Sequence, residues 1–206
     1  MTNILKFNSF TPDSPIILIG PQGTGKSTTA KALAKRLNIP LIQTDMCMID
    51  EEYFNTCKDE PGVEVEIKRH PNMGTYYDSN DLYPFCVIKE ILNKYSNQKV
   101  VLDVGGTHAF ISDRLELEVS DLFKSYSNLI RFTVYDDSLD TYQFLKQRRK
   151  GRGESVQAQD ETKFISTIEK LDDLYSDSKK VSVVKRNGVD KTTDEIVDDV
   201  IRLIEK

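Results

Sequence analysis

The chain has 206 residues, 38% of them hydrophobic and 30% charged, and a net charge of −5. This length suits one α/β domain with a substantial core, and the acidic balance argues against nucleic acid or an anionic membrane as the partner. No apolar run approaches the roughly 18 residues of a membrane-crossing helix, and Met1-Thr2-Asn3-Ile4-Leu5-Lys6 has no basic region ahead of an apolar stretch, so the cytoplasm is the expected compartment.

Residues 1–14 read as a lead-in, closed by Pro12 and Pro15. Ile16-Ile17-Leu18-Ile19 reads as a buried strand and runs into Gly20-Pro21-Gln22-Gly23-Thr24-Gly25-Lys26-Ser27, which matches G-x-x-x-x-G-K-[ST]. A helix over 25–37 follows, with Ala30, Leu33, Ala34 and Leu37 on one face, Asn38 as its cap and Pro40 barring continuation. A second strand covers 41–43 and ends at Thr44-Asp45. The pattern then weakens. Residues 46–57 read as helical, and 46–82 as a whole as an inserted substrate-side region with one short extended piece over 63–67. A helix over 81–95 leads to a nearly continuous apolar strand over 99–104, closed by Gly105-Gly106. Helices over 111–125, 138–149, 160–177 and 193–206 alternate with strands over 129–135 and 180–184. Such alternation predicts a parallel sheet covered on both faces, within a single domain over 1–206.

The residue types of the glycine-rich turn point to phosphate. Glycines let backbone N–H groups close on phosphate oxygens, and the following helix aims its positive dipole end at them. The nucleotide is expected on Gly20, Gln22, Gly23, Thr24, Gly25, Lys26, Ser27 and Thr28, with Lys26 at the β- and γ-phosphates and the Ser27 hydroxyl on Mg²⁺. Asp45, at the carboxyl end of the second strand, suits a group that accepts a proton from, or orients, an acceptor hydroxyl; a helix N-cap is the plainer reading. Asp103 ends an apolar strand where an acid could orient Mg²⁺ through water. Gly105 and Gly106 would let a substrate approach the backbone. The basic run over 146–153 reads as the edge of a lid over about 149–158, with Arg148 or Arg152 meeting phosphate; a solvated helix end and an RNA patch are the alternatives. Lys68 and Arg69 could hold an anionic part of the substrate. Cys47, Cys57 and Cys86 form neither a disulfide framework nor a C-x-x-C site and read as free, mostly buried thiols. His70 and His108 are read as neither zinc nor other metal ligands.

Residues 20–45, G-P-Q-G-T-G-K-S-T-T-A-K-A-L-A-K-R-L-N-I-P-L-I-Q-T-D, closely resemble the opening βαβ unit of the shikimate kinase group of P-loop small-molecule kinases. Val134-Tyr135-Asp136 with Leu145, Arg148 and Arg152 is similar to that family's fourth strand and lid, and 181–204 to its last strand and helix. The resemblance implies a three-layer P-loop NTPase fold with five parallel strands in the order 2-3-1-4-5. It also implies ATP and Mg²⁺ as cosubstrates and transfer of the γ-phosphoryl to a hydroxyl held by Asp45. The chain departs from the family at Gln43, where the first of two acids is usual, at Gly105-Gly106-Thr107 in place of three glycines, and at Cys86 and Leu171, where substrate arginines are usual. Asp103 instead resembles the nucleoside monophosphate kinases. The expected protein is therefore an ATP- and Mg²⁺-dependent kinase with an altered acceptor pocket, acting on a small hydroxylated metabolite as a monomer or weak dimer. A nucleoside or nucleotide kinase, or an ATP-binding switch protein, are the alternatives.

Overall fold

In the computed structural model, residues 14–70, 74–106, 108–109, 115–151, 160–185 and 188–205 are described, with backbone only at 69–70, 74–78 and 160. Residues 1–13 of the expected lead-in and 152–158 of the expected lid lie outside them.

β1 (Ile16–Ile19) is the centre of the sheet because it is apolar at every position and buried at every position. A strand covered on both faces has no polar side to offer. The described chain continues through α1 (Lys26–Leu37), β2 (Leu41–Gln43), α2 (Thr44–Cys47), α3 (Glu51–Cys57), β3 (Val65–His70), β4 (Gly74–Ser79) and α4 (Leu82–Tyr95). It then runs through β5 (Val101–Asp103), α5 (Glu116–Lys124), β6 (Leu129–Thr133), α6 (Ser138–Gly151), α7 (Asp160–Leu174), β7 (Lys179–Ser182) and α8 (Thr193–Ile204). Five strands form one parallel sheet in the order β2-β5-β1-β6-β7. Numbered among themselves, these strands run 2-3-1-4-5, the order that the family resemblance implied.

Alternate residues of β1 feed two cores, since successive side chains of a strand point to opposite faces. Ile17 and Ile19 pack with Leu102, Val87, Ile88, Ile91, Val119 and Phe123 under α4 and α5. Ile16 and Leu18 pack with Ala30, Leu33, Ile130, Phe132, Val197 and Val200 under α1 and α8. α1 stops at Asn38, which takes a left-handed backbone (φ 54°) and donates its N–H to the carbonyls of Ala34 and Lys35.

Three local expectations are corrected. The stretch read as one helix over 46–57 is two, α2 and α3, because Asp50 leaves the helical conformation and caps α3 by accepting from Glu52 N at 2.8 Å. The lone extended piece over 63–67 is half of an antiparallel hairpin, β3 with β4, running from Val65 opposite Ser79 to His70 opposite Gly74. The cysteines are not all free: Cys57 and Cys86 form a disulfide between α3 and α4 with Cα atoms 5.8 Å apart, and Cys47 alone is free. No helix among the described residues is long and apolar enough to cross a membrane.

Candidate active site

The glycine-rich loop turns at the carboxyl end of β1, between β5 and β6. Gly20 (φ +140°) cannot be replaced there: a Cβ would fall 2.7 Å from the carbonyl oxygen of Phe132 on β6. Gly25 (φ +91°) takes the left-handed turn into α1. Thr24 is buried and donates its hydroxyl to Pro21 O at 2.9 Å, bracing the turn. Lys26 is buried too, and its ammonium donates to Gly20 O at 2.8 Å and Pro21 O at 3.4 Å. Burial pulls its pKa below the ordinary lysine value, while the charges of Asp103 and Asp45 work against that shift.

A cavity of about 600 Å³ opens in front of the loop. Gln22, Gly23, Gly25, Lys26, Ser27 and Thr28 form one wall, Asp45, Val104, Gly105 and Gly106 a second, and Arg149, Lys163, Phe164 and Thr167 a third. Six of the eight residues expected on the nucleotide, the acid after β2 and the glycine pair after β5 thus share one space, which Gly20 and Thr24 do not line. β2, β5 and β1 are adjacent and parallel, so their carboxyl ends, and the residues that follow them, emerge on the same edge.

Asp45 is the carboxylate of the second wall, with its side chain 74% exposed. It lies in the first turn of α2, two residues past the N-cap, which is Gln43. Behind it is His108, whose side chain is 18% exposed. His108 Nδ1 lies 3.4 Å from Asp45 Oδ1 and 2.9 Å from Thr44 Oγ1. Gly105 N donates to the same Thr44 Oγ1 at 2.8 Å. Burial lowers the His108 pKa, Asp45 raises it and Lys26 lowers it. A Cβ on Gly105 would fall on Asp45 Oδ1 and within 2.7 Å of His108 Nδ1. The absence of a Cβ there makes room for Asp45 and His108, and Gly105 also lines the cavity. Gly106 packs against Gln22 of the loop. The loop after β5 is held from below by Tyr175, whose buried hydroxyl donates to Ala109 O.

Asp103 is buried at the end of β5, and Gln43 Nε2 donates to its Oδ2 at 3.1 Å. The departure at Gln43 thus supplies a donor to Asp103, where a second acid would have set like charge against it. Asp103 and Ser27 offer hard oxygen donors beside Lys26, which is the donor chemistry Mg²⁺ takes.

The arginines fall differently from expectation. Arg148 does not line the cavity. It spans the outside of the loop, with Nη1 3.5 Å from Gly23 O, Nε 3.5 Å from Asp190 Oδ2, and its guanidinium over the Phe144 ring. Arg149 takes the cavity-facing position, because successive residues on a helix point about 100° apart. Arg152 lies outside the described residues, and of Arg69 only the backbone, on β3, is described. Lys163, Phe164 and Thr167 were missed. Their i, i+1, i+4 spacing gives them one face of α7, yet only the docking of α7 shows which face meets the nucleotide loop. His108 was missed because a lone histidine in a loop carries no spacing signal.

The family model described as "AAA: ATPase family associated with various cellular activities" matches residues 16–61, the loop and the unit that follows it. The chain is 28% identical over 149 residues to a tRNA dimethylallyltransferase of Mycoplasmoides gallisepticum, covering 66% of this chain and 47% of the relative, so it spans about half the length of that protein. It is 32% identical over 143 residues to an adenylate kinase of Mycobacterium ulcerans, covering 67% of this chain and 70% of the relative. Among solved structures, shikimate kinase from Bacteroides thetaiotaomicron shares the fold, with a TM-score of 0.58, 18% identity, and 94% and 99% of the two chains covered. With the loop, its cavity and a relative of that similarity together, the chain belongs to the P-loop kinase family of the adenylate kinase it matches, and it shares its fold with shikimate kinase.

Proposed function

We propose that this protein transfers the γ-phosphoryl group of ATP to a hydroxyl of a small metabolite. The observation that carries the reading is the presence of Asp45 in the same cavity as the glycine-rich loop and Lys26. A carboxylate beside such a loop, on the opposite wall from the residues that would hold the nucleotide, is suited to accept a proton from an acceptor hydroxyl.

The chemistry asked of the chain is positioning and charge neutralisation. Backbone N–H groups of the loop and the N-terminus of α1 cradle the β- and γ-phosphates. Lys26, which rests on Gly20 O and Pro21 O, exchanges these neutral acceptors for phosphate oxygens. Ser27 directly, and Asp103 through water, are the residues that would hold Mg²⁺. When bound, that ion supplies charge neutralisation across the β- and γ-phosphates. Asp45 holds the acceptor hydroxyl and takes its proton as the new oxygen–phosphorus bond forms and the bond to the ADP oxygen breaks. Arg149 and Lys163 face the cavity and offset charge on the transferring group.

The test is a screen of Mg·ATP against polyols, sugars, hydroxylated acids and nucleosides, read as acceptor-dependent ADP formation. Lys26→Ala is expected to lower turnover by about 10²-fold or more. Wild-type turnover in that variant overturns the mechanism. A nucleoside or nucleotide acceptor is the second reading, favoured by the adenylate kinase similarity and by Asp103 at the end of β5. Phosphorylation confined to the nucleoside and nucleotide arms of the screen would select it. Tight ATP binding with no turnover in any arm would select a switch protein instead.

A further inference from the structure

His108 belongs to no motif of the chain and does not line the cavity, yet it is tied to the residue at the centre of the proposed reaction. Its Nδ1 has two oxygen neighbours, Thr44 Oγ1 at 2.9 Å and Asp45 Oδ1 at 3.4 Å. Thr44 is buried, and its oxygen already accepts from Gly105 N at 2.8 Å. The charges that bear on the imidazole are Asp45, on α2, and Lys26, at the start of α1. Burial keeps the ring neutral near neutral pH, so it carries one N–H.

The position of that proton follows from the neighbours. An ionised carboxylate only accepts. A bare Nδ1 could take the Thr44 hydroxyl proton, but it would then set its lone pair against Asp45 Oδ1. A protonated Nδ1 donates to Thr44 Oγ1 at 2.9 Å and turns the positive end of its N–H dipole toward Asp45 Oδ1 at 3.4 Å. The proton is thus assigned from the hydrogen-bond network, as it must be for a histidine. Gly105 is what permits the arrangement, since any Cβ there would occupy the space that Asp45 Oδ1 and His108 Nδ1 share.

We propose that His108 is a positioning residue: its Nδ1–H, braced by Thr44 and Gly105, holds the Asp45 carboxylate at the acceptor end of the cavity. This rests on the kinase reading for its purpose but not for its geometry. His108 touches neither substrate nor nucleotide. Its effect runs through Asp45, whose largely exposed side chain sits on a four-residue helix with His108 as its neighbour on the buried side.

Two measurements decide it. The first needs no acceptor. The chain has two histidines, so in His70→Gln the remaining ring signals belong to His108. Long-range proton–nitrogen spectra of this nucleotide-free variant are expected to show the Nδ1–H tautomer, and Asp45→Asn in the same background is expected to shift the Nδ1 signal. An Nε2–H tautomer, or signals indifferent to Asp45→Asn, overturns the proposal. The second uses an acceptor that the wild-type protein turns over. His108→Ala is expected to lower kcat by about 10²-fold, with the calorimetric Kd for Mg·ATP unchanged. His108→Asn, which keeps an N–H donor close to the place of Nδ1, restores most of that loss. Wild-type kcat in His108→Ala, or a loss of Mg·ATP affinity in step with kcat, overturns the proposal. Absence of turnover in the wild-type protein counts against the kinase reading instead, and the tautomer still decides the arrangement of His108 and Asp45.

Discussion

Gly105 shows how much of this site turns on one missing carbon. Its backbone is not in the left-handed region, so the chain itself would tolerate an alanine there. The added Cβ would instead fall on Asp45 Oδ1 and crowd His108 Nδ1. Gly105→Ala is therefore expected to fold and to bind Mg·ATP as the wild type does. It should lose about 10²-fold in kcat, because the acceptor carboxylate is displaced by about an ångström or more. Steady-state kinetics beside a calorimetric titration with Mg·ATP checks both halves, and a parallel loss of nucleotide affinity would argue for wider damage. Gly20 is the contrasting case. Its φ of +140° and the Phe132 backbone beside it make that glycine a requirement of the fold rather than of the acceptor.

Helices α6 and α7 decide which basic residues face the cavity. The basic end of α6 was legible as a cluster, Arg148-Arg149-Lys150, but its rotation was not. Arg148 is held against the outside of the loop by Gly23 O and Asp190, while Arg149 lines the cavity with Lys163, Phe164 and Thr167 of α7. Arg149→Ala is expected to lower kcat by about 10²-fold, the cost of removing one preorganised group at developing charge. Arg148→Ala should chiefly weaken nucleotide binding, since it braces the loop. Comparing kcat with the Mg·ATP Kd for the two variants separates these roles. Equal kcat losses in both would mean that the rotation of α6 changes when nucleotide binds. The disulfide between α3 and α4 is a second feature of this scale. It ties α3 and α4 together across 29 residues of chain, a link that cysteine spacing alone did not reveal.

For the molecule as a whole, nucleotide binding and folding are linked, because the loop glycines, Lys26 and the wall after β5 assemble only in the folded sheet. At 100 times its Kd, Mg·ATP should stabilise the protein by about 2.7 kcal/mol. For a chain of this size that is a rise in Tm of roughly 5–10 °C. Thermal unfolding with and without Mg·ATP measures it, and an unchanged Tm at saturating nucleotide would remove the basis of the proposed reaction. The same sheet order, β2-β5-β1-β6-β7, brings the ends of β2, β5 and β1 to one edge, so the acid after β2 faces the loop after β1.

The sequence by itself determined the strand that leads into the loop, the loop, the alternation of strand and helix, and the boundaries of β2, of α1 up to its Asn38 cap, and of α4 to within a residue. These follow from local chemistry: apolar runs, glycines where φ is positive, a cap where a helix ends. It also pointed to Asp45 and Gly105, which line the cavity, because each lies two residues beyond a strand that ends at that edge. Only the tertiary structure decided the partnership of His108 with Thr44, 64 residues earlier, the pairing of Cys57 with Cys86, and the face of α7 turned to the cavity. It also paired β3 with β4 and set Arg149 rather than Arg148 toward the cavity. Such contacts join segments distant in the chain or fix the rotation of a helix against its neighbours, and neither leaves a period or a spacing in the sequence to be read.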